Sequence, residues 1–402
     1  MKTMPRVGDA ERAYTKEFLD SDFHLVPGSN MCARLESAFA KKFGTEFAIT
    51  HVNGTATLHS CLAAAGVGPG DEVIVPPLTM ASTSLAVLHQ NAIPMFADVD
   101  PETFQIDPES IRALISPRTK AIITVALYGL SPDMDPIMEM AKEHGIPVIE
   151  DDAQCFLGWY KGKLVGTIGD MSSFSFQRTK HMTSGEGGMV ITNNEKYADA
   201  IRSFACLGYG QYSGKKIEFS RRDIMNPNVD RHVALGWNYL MPKGCAAIAL
   251  GQLERLDEFV TQRQEIAKAY EEIVSRCSWL VPQRIPADCV TSSWSYVVRL
   301  ERDDITWEQF FDAFVSHGGD GFYAAWKLTY MEPMFQHMRM GGREIFFEQP
   351  FFTGKKQEYK AGLCPIAERL QKKLIQFKTS CMDAERFQKQ LDALEKAIAQ
   401  FS

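Results

Sequence analysis

Three short stretches of the 402-residue chain carry side chains able to act together. The first is SFSFQRTKHMTSGEGGMVIT, Ser173 to Thr192, in which Lys180 stands between alternating strand residues and a glycine-rich turn. A lysine there is a solvated charge, a phosphate counter-ion or a desolvated amine that adds to a carbonyl. The second is VIEDDAQC, where Glu150, Asp151 and Asp152 close an apolar run and Gln154 follows. Carboxylates at the end of a buried strand are unfavourable unless something cationic meets them. A protonated pyridine nitrogen and a magnesium ion are such partners, and a solvated acidic loop is the plain alternative. The third is HVNGTATLHS: Gly54 permits a tight turn, and Thr55 and Ala56 open a helix whose free backbone N–H groups suit a phosphate. Taken alone, this third stretch reads equally well as an ordinary strand-to-helix turn capped by Thr55.

The elements that must position these residues are legible as a rhythm. From about residue 37 to 192, short β-branched runs alternate with amphipathic stretches, the pattern of βαβ units around a mostly parallel sheet. EFAITHV, DEVIVPP, IPMFADV, AIITVALYG, IPVIED, SSFSF and GMVIT read as strands. TATLHSCLAAAG, TSLAVLHQN, PESIRALI and MDPIMEMAKEHG read as the helices between them. In such sheets ligands bind at the carboxyl ends of the strands. That rule selects residues 53–56, Thr79 and Met80, Tyr128, residues 151–154 and residues 175–180. Alternation along SFSF puts Ser173 and Ser175 on one face, so that either hydroxyl could add to an anion at a helix end. Residues 207–229 lack periodicity and read as a long loop. GCAAIALGQLERLDEFVTQRQEIAKAYEEIV reads as one helical run leading into a second, α+β unit that holds the strand SWSYVVRL and the closing helix AERFQKQLDALEKAIAQF. The expected division is a large unit over 1–261 and a small one over 262–402.

Composition narrows the partners. A net charge of -7 and the lack of any basic block interleaved with aromatics argue against nucleic acid. Nine scattered cysteines without a CxxC pair fit neither a disulfide framework nor a zinc knuckle, and no metal is expected; a reducing compartment fits. The N-terminus turns charged before an apolar run builds up, unlike a signal peptide, and no apolar run approaches the roughly 20 residues of a membrane span. The expectation is a soluble cytoplasmic protein.

A phosphate seat, a carboxylate and a lysine at one rim of a parallel sheet are what a pyridoxal phosphate enzyme requires. The lysine binds the cofactor's aldehyde and later shuttles a proton. The competing reading, SGEGG over a nucleotide phosphate with magnesium on Asp151, lacks the GxxxxGK[ST] string it needs.

NGTATLHSCLAAAGVGPGDEVIVPPLT, DMDPIMEMAKEHGIPVIEDDAQ, GTIGDMSSFSFQRTKHMTSGEGGMVIT, GWNYLMPKGCAAIALGQLERLDEF and CPIAERL occur in this order. Together they resemble the DegT/DnrJ/EryC1/StrS sugar aminotransferases, fold type I pyridoxal phosphate enzymes. The resemblance runs from about residue 15 to the C-terminus. It implies a three-layer α/β/α large domain with a mostly parallel seven-stranded sheet and a smaller α+β domain. It also implies pyridoxal 5'-phosphate as cofactor, with pyridoxamine phosphate as its amino form. Position by position, Lys180 matches the Schiff-base lysine and Asp151 the partner of the pyridine nitrogen. Gln154 matches the residue near the ring's phenolic oxygen, Gly54, Thr55 and Ala56 the phosphate seat, and Ser175 its supporting hydroxyl. Asn238 matches an asparagine that reaches the cofactor of a neighbouring subunit, so a homodimer with shared sites is implied.

Three positions depart from the family pattern. Met80 stands where an aromatic usually stacks on the ring, CLGYG replaces HG, and Leu240 replaces a frequent Arg. His181, Glu186 and Tyr128 are further candidates for substrate contact, the basic stretch KKIEFSRR for an anionic substrate, and the aromatics of GFYAAWKLTYMEPMF for the site wall or the core. The expected activity is transfer of an amino group from glutamate or glutamine to a keto sugar that is nucleotide-linked. The same chemistry on a keto-cyclitol or another ketone, and a cofactor-binding regulatory protein without turnover, are the open alternatives.

Overall fold

The computed structural model describes residues 4–23, 30–210, 212–213, 216–217, 221–337, 339–340, 343–344, 358–380 and 383–402. Its centre is a seven-stranded sheet built from β1 (Phe47–His51), β2 (Glu72–Val75), β3 (Ile93–Phe96), β4 (Thr119–Val125), β5 (Val148–Asp151), β6 (Met171–Ser175) and β7 (Gly188–Thr192). Their order across the sheet is β1-β7-β6-β5-β4-β2-β3. Only β7 runs against the others, pairing antiparallel with both β1 and β6. Crossovers through helices require parallel neighbours to be buried on both faces, which is why these strands read as continuous apolar runs. Val73 and Val75 pack into one apolar layer with Leu58, Leu62 and Val87, whereas Ile74 between them packs into the opposite layer with Met134, Ile137 and Met140.

The helix Gly54–Ala64 covers β6 from the first of these layers. Thr57 Oγ1 and Ser173 Oγ lie 2.6 Å apart, and a Cβ on Gly54 would come within 2.9 Å of the Ser175 Cβ. Ser173 and Ser175 therefore do share a face, as the alternation predicts. The cap of this helix is a correction: Asn53, not Thr55, is the N-cap, its side chain accepting the Ala56 N–H at 2.9 Å.

The run from residue 243 to 274 is two helices, Lys243–Glu254 and Leu256–Val274, broken at Arg255. Its apolar pattern does not lapse there, so the sequence reads through the break. The second helix continues past residue 261. Its side chains leave the apolar cluster of Leu256 and Val260 and enter that of Ile266, Tyr270 and Val274. That second cluster belongs to a four-stranded sheet made of β8 (Leu280–Pro282), β9 (Ser295–Leu300), β10 (Tyr323–Ala324) and β11 (Leu374–Lys378), in the order β8-β9-β11-β10. Within the expected loop over 207–229 the described parts are a short hairpin, Tyr212–Ser213 with Lys216–Ile217, and the helix Arg221–Met225. Residues 215 and 218–220 of the basic stretch lie outside the described residues.

Candidate active site

The carboxyl ends of β1, β2, β4, β5 and β6 surround a cavity of about 450 Å³. Asn53, Gly54 and Thr55 come from the turn after β1, Thr79 and Met80 from beyond β2, and Asp151, Ala153 and Gln154 from β5 and its exit. Ser175, Gln177 and Lys180 follow β6. The strand-end rule thus selects this wall before any side chain is placed.

Asp151 is the last residue of β5 and is buried. Thr83, in the helix Ser82–His89, donates Oγ1 to Asp151 Oδ2 at 2.9 Å. Burial pushes the Asp151 carboxyl up, while the Thr83 hydrogen bond and the Lys180 amine pull it back. The other two acids of the cluster serve the scaffold. Glu150 accepts the N–H groups of Gly166, Ile168 and Gly169 at 3.0, 2.8 and 2.6 Å. The expectation that a cation must meet each acid is corrected here, because backbone amides solvate Glu150. Asp152 is buried, and Oδ2 has no hydrogen-bond partner among the described residues. Burial and the neighbouring Glu150 and Asp151 hold its carboxyl well above the usual carboxylate range.

Lys180 is half-buried, and its amine lies 5.0 Å from the centroid of the Trp294 ring. Desolvation lowers the amine to about 8, with Arg263 acting in the same direction and Asp151 opposing it. A substantial fraction is then neutral and nucleophilic near physiological pH, where an ordinary lysine is almost wholly protonated.

The seat opposite the lysine is a helix end. Asn53 already occupies the Ala56 amide, and Ala56 does not line the cavity. The N–H groups of Gly54 and Thr55 are left as the helix-end donors on this wall, with Ser175 beside them. Gln154 is buried and accepts the Tyr128 N–H through Oε1 at 2.9 Å. Tyr128 itself does not line the cavity: at φ 62 its backbone is left-handed and its ring joins the core. It reaches the site only through its amide on Gln154. His181 is likewise directed away, its Nε2 lying 3.0 Å from the Ser292 carbonyl in a buried position beside Phe156. Glu186 does line the cavity and is exposed. Asn238 is exposed and stands outside the cavity, bridged to Cys206.

The strands β10 and β11 and the residues beside β9 and β10 supply the remaining wall: Trp294, Tyr323, Trp326 and Gln376. Of these, the sequence had offered Tyr323 and Trp326 only as members of an aromatic stretch. Trp294 and Gln376 carry no motif; the one signal was an aromatic standing directly before the strand SYVVRL.

The model of the DegT/DnrJ/EryC1/StrS aminotransferase family matches residues 5–380. The chain belongs to this family. It is a transaminase, and aminotransferases of the DegT/DnrJ/EryC1/StrS family depend on pyridoxal phosphate. The chain is 40% identical over 299 residues to GDP-perosamine synthase of Caulobacter vibrioides, covering 74% of this chain and 76% of that one. It is 40% identical over 271 residues to GDP-perosamine synthase of Escherichia coli O157:H7, covering 67% and 70%. The aminotransferase of Psychrobacter cryohalolentis has the same fold, with a TM-score of 0.84 at 26% identity over 99% of each chain.

Proposed function

We propose that this transaminase moves an amino group from glutamate or glutamine to a nucleotide-linked keto sugar, using pyridoxal phosphate seated in the cavity at the strand ends. The observation that carries this reading is the convergence of the Lys180 amine, the Asp151 carboxylate and the Gly54–Thr55 helix end on one cavity. These groups fit the cofactor chemically: an amine for its aldehyde, a carboxylate for its ring nitrogen, and amides with a hydroxyl for its phosphate. When bound, the cofactor supplies an electron sink for a substrate carbanion. The chain's own residues do the rest. Asp151, fixed by Thr83, keeps the ring nitrogen protonated; Lys180 holds the cofactor and then moves the proton at the substrate carbon. Gln154, tied to the Tyr128 amide, lies ready for the phenolic oxygen. Gly54, Thr55 and Ser175 bind the phosphate, and Met80 and Trp294 limit water.

The GDP-linked product stated in the names of the two synthases supports a nucleotide-linked acceptor. A homodimer fits the surface around Asn238, where Val233, Leu235, Trp237 and Leu240 are exposed, Leu235 by 88%. In such a dimer Asn238 would serve the neighbouring site. The eight cysteines among the described residues are free, which supports a reducing compartment such as the cytoplasm; no helix among those residues is long and apolar enough to cross a membrane.

The test is transfer of labelled nitrogen from glutamate or glutamine to GDP-linked keto sugars, read by mass spectrometry of the sugar. Label in the product supports the reading. Label that enters only ketones without a nucleotide removes the nucleotide-linked acceptor.

A further inference from the structure

Arg263, in the helix Leu256–Val274, is 1% exposed. No carboxylate pairs with it among the described residues; its guanidinium is met by four neutral oxygens. One terminal nitrogen donates to the Trp294 carbonyl at 2.8 Å and to Thr379 Oγ1 at 3.0 Å. The other donates to the Thr179 carbonyl at 3.1 Å and the Lys180 carbonyl at 3.4 Å. A buried guanidinium without an anion is unfavourable, so well-packed apolar residues would serve stability better. What the fork joins gives it another role. Two of its acceptors flank the small sheet, and two belong to the turn that carries the lysine.

Other contacts close on the same turn. Trp294 Nε1 donates to the Thr179 carbonyl at 3.2 Å. Arg6 donates to the Lys180 carbonyl and, at 2.7 Å, to the His181 carbonyl. Thr379 Oγ1 lies 2.7 Å from the carbonyls of both Ser293 and Trp294, which fixes the hydroxyl that Arg263 uses. The Lys180 backbone is therefore clamped, while its amine meets the Trp294 ring rather than a hydrogen-bond partner among the described residues.

We propose that Arg263 is a positioning residue for Lys180: it fixes the backbone on which the amine turns and locks that backbone to Trp294, the indole on which the amine rests. This rests on the reading of Lys180 as the cofactor-holding amine. A planar fork can bind two carbonyls of one turn and two oxygens of another unit at once, which an ammonium cannot do. Its charge also acts on the amine. The charged groups facing Lys180 are Asp151 from β5, Arg263 from its helix and Glu186 across the cavity, with Arg6 behind the turn. Arg263 disfavours the ammonium and Asp151 favours it.

Fork and charge are separable by comparing Arg263→Lys with Arg263→Met. Each cofactor-free protein is mixed with pyridoxal phosphate across a pH series, reduced with borohydride and digested, and the labelled fraction of the Lys180 peptide is followed with time. Arg263→Met should move the midpoint of labelling to higher pH by about threefold or more in proton concentration. Arg263→Lys should keep the parent's midpoint but label more slowly by on the order of tenfold, since the amine is less well placed. A purely structural role would lower the melting temperature of either variant and leave midpoint and rate alone; that result overturns the proposal. Should Arg263→Met fail to fold, the rate of Arg263→Lys decides, and a parent-like rate overturns it. If the parent itself takes no label on Lys180, the functional reading fails, and the inference fails with it.

Discussion

Thr83 Oγ1 donates to Asp151 Oδ2 at 2.9 Å, from the helix that follows β2 to the end of β5. A helix from the β2–β3 connection thus fixes one buried carboxylate at the end of β5, across the intervening β4. Replacing Asp151 by Asn keeps the shape and removes the charge a protonated ring needs. Breaking one side of a buried ion pair costs about 3–5 kcal/mol, so kcat/KM should fall by roughly a hundredfold to several thousandfold. Steady-state kinetics of Asp151→Asn check this, and a loss below tenfold would remove Asp151 from the role.

Gly54 is the closest approach between the helix end and β6. A Cβ there would lie 2.9 Å from the Ser175 Cβ and 3.2 Å from its Oγ. Overpacking of this kind costs about 1–3 kcal/mol, here paid at the phosphate seat. Gly54→Val should weaken pyridoxal phosphate binding by roughly tenfold, read by fluorescence titration, with the far-ultraviolet circular dichroism unchanged. Parent-like affinity would place the phosphate elsewhere.

Met80 lines the cavity and is 51% exposed, at the position where the family resemblance leads one to expect a stacking aromatic. Ring stacking adds about 0.5–1.5 kcal/mol beyond burial. Met80→Phe should therefore tighten cofactor binding by roughly twofold to tenfold in the same titration. Weaker binding would mean that the thioether's shape, not its polarisability, suits this cavity.

Much of the cavity's lining was legible because burial on both faces of a parallel sheet leaves continuous apolar runs, and the residues that follow those runs line it. Asp151, Gly54, Ser175 and Lys180 were readable on that basis. Tyr128 ends a strand too, but its positive φ turns the ring into the core, which no apolar pattern reveals. Glu150 looked like a charge awaiting a cation; its solvent is the amides of Gly166, Ile168 and Gly169. Tyr323 and Gln376 reach the cavity from a second sheet, and Trp294 and Trp326 from beside its strands, more than 100 residues along the chain from Lys180 and with no spacing to announce them. Arg263 was invisible for a related reason, since a lone arginine in a helix reads as solvated until its acceptors are placed.

His51 ends β1 fully buried, with Nδ1 3.1 Å from the Ile49 carbonyl and Nε2 2.9 Å from Ser60 Oγ. Burial pushes it down to about 4 from an ordinary value near 6.5, so the folded state keeps it neutral where the unfolded chain binds a proton. Its contribution is therefore full above pH 6.5 and lost as pH falls toward 4, about 3 kcal/mol in all. Urea denaturation of the parent and His51→Gln between pH 4 and 7 checks the sign: the parent's stability should fall more steeply. Parallel curves would contradict the buried neutral imidazole.

The central claim is that Lys180 holds pyridoxal phosphate and that the loaded protein accepts an amino group. Its most direct measurement is the visible absorbance of the protein after loading and gel filtration, before and after glutamate or glutamine is added. The parent should keep a visible band that bleaches with one of these donors, while Lys180→Ala, loaded alike, should show no such band. A Lys180→Ala protein that retains the band and bleaches as the parent does, or a parent that never takes up the cofactor, would contradict the account.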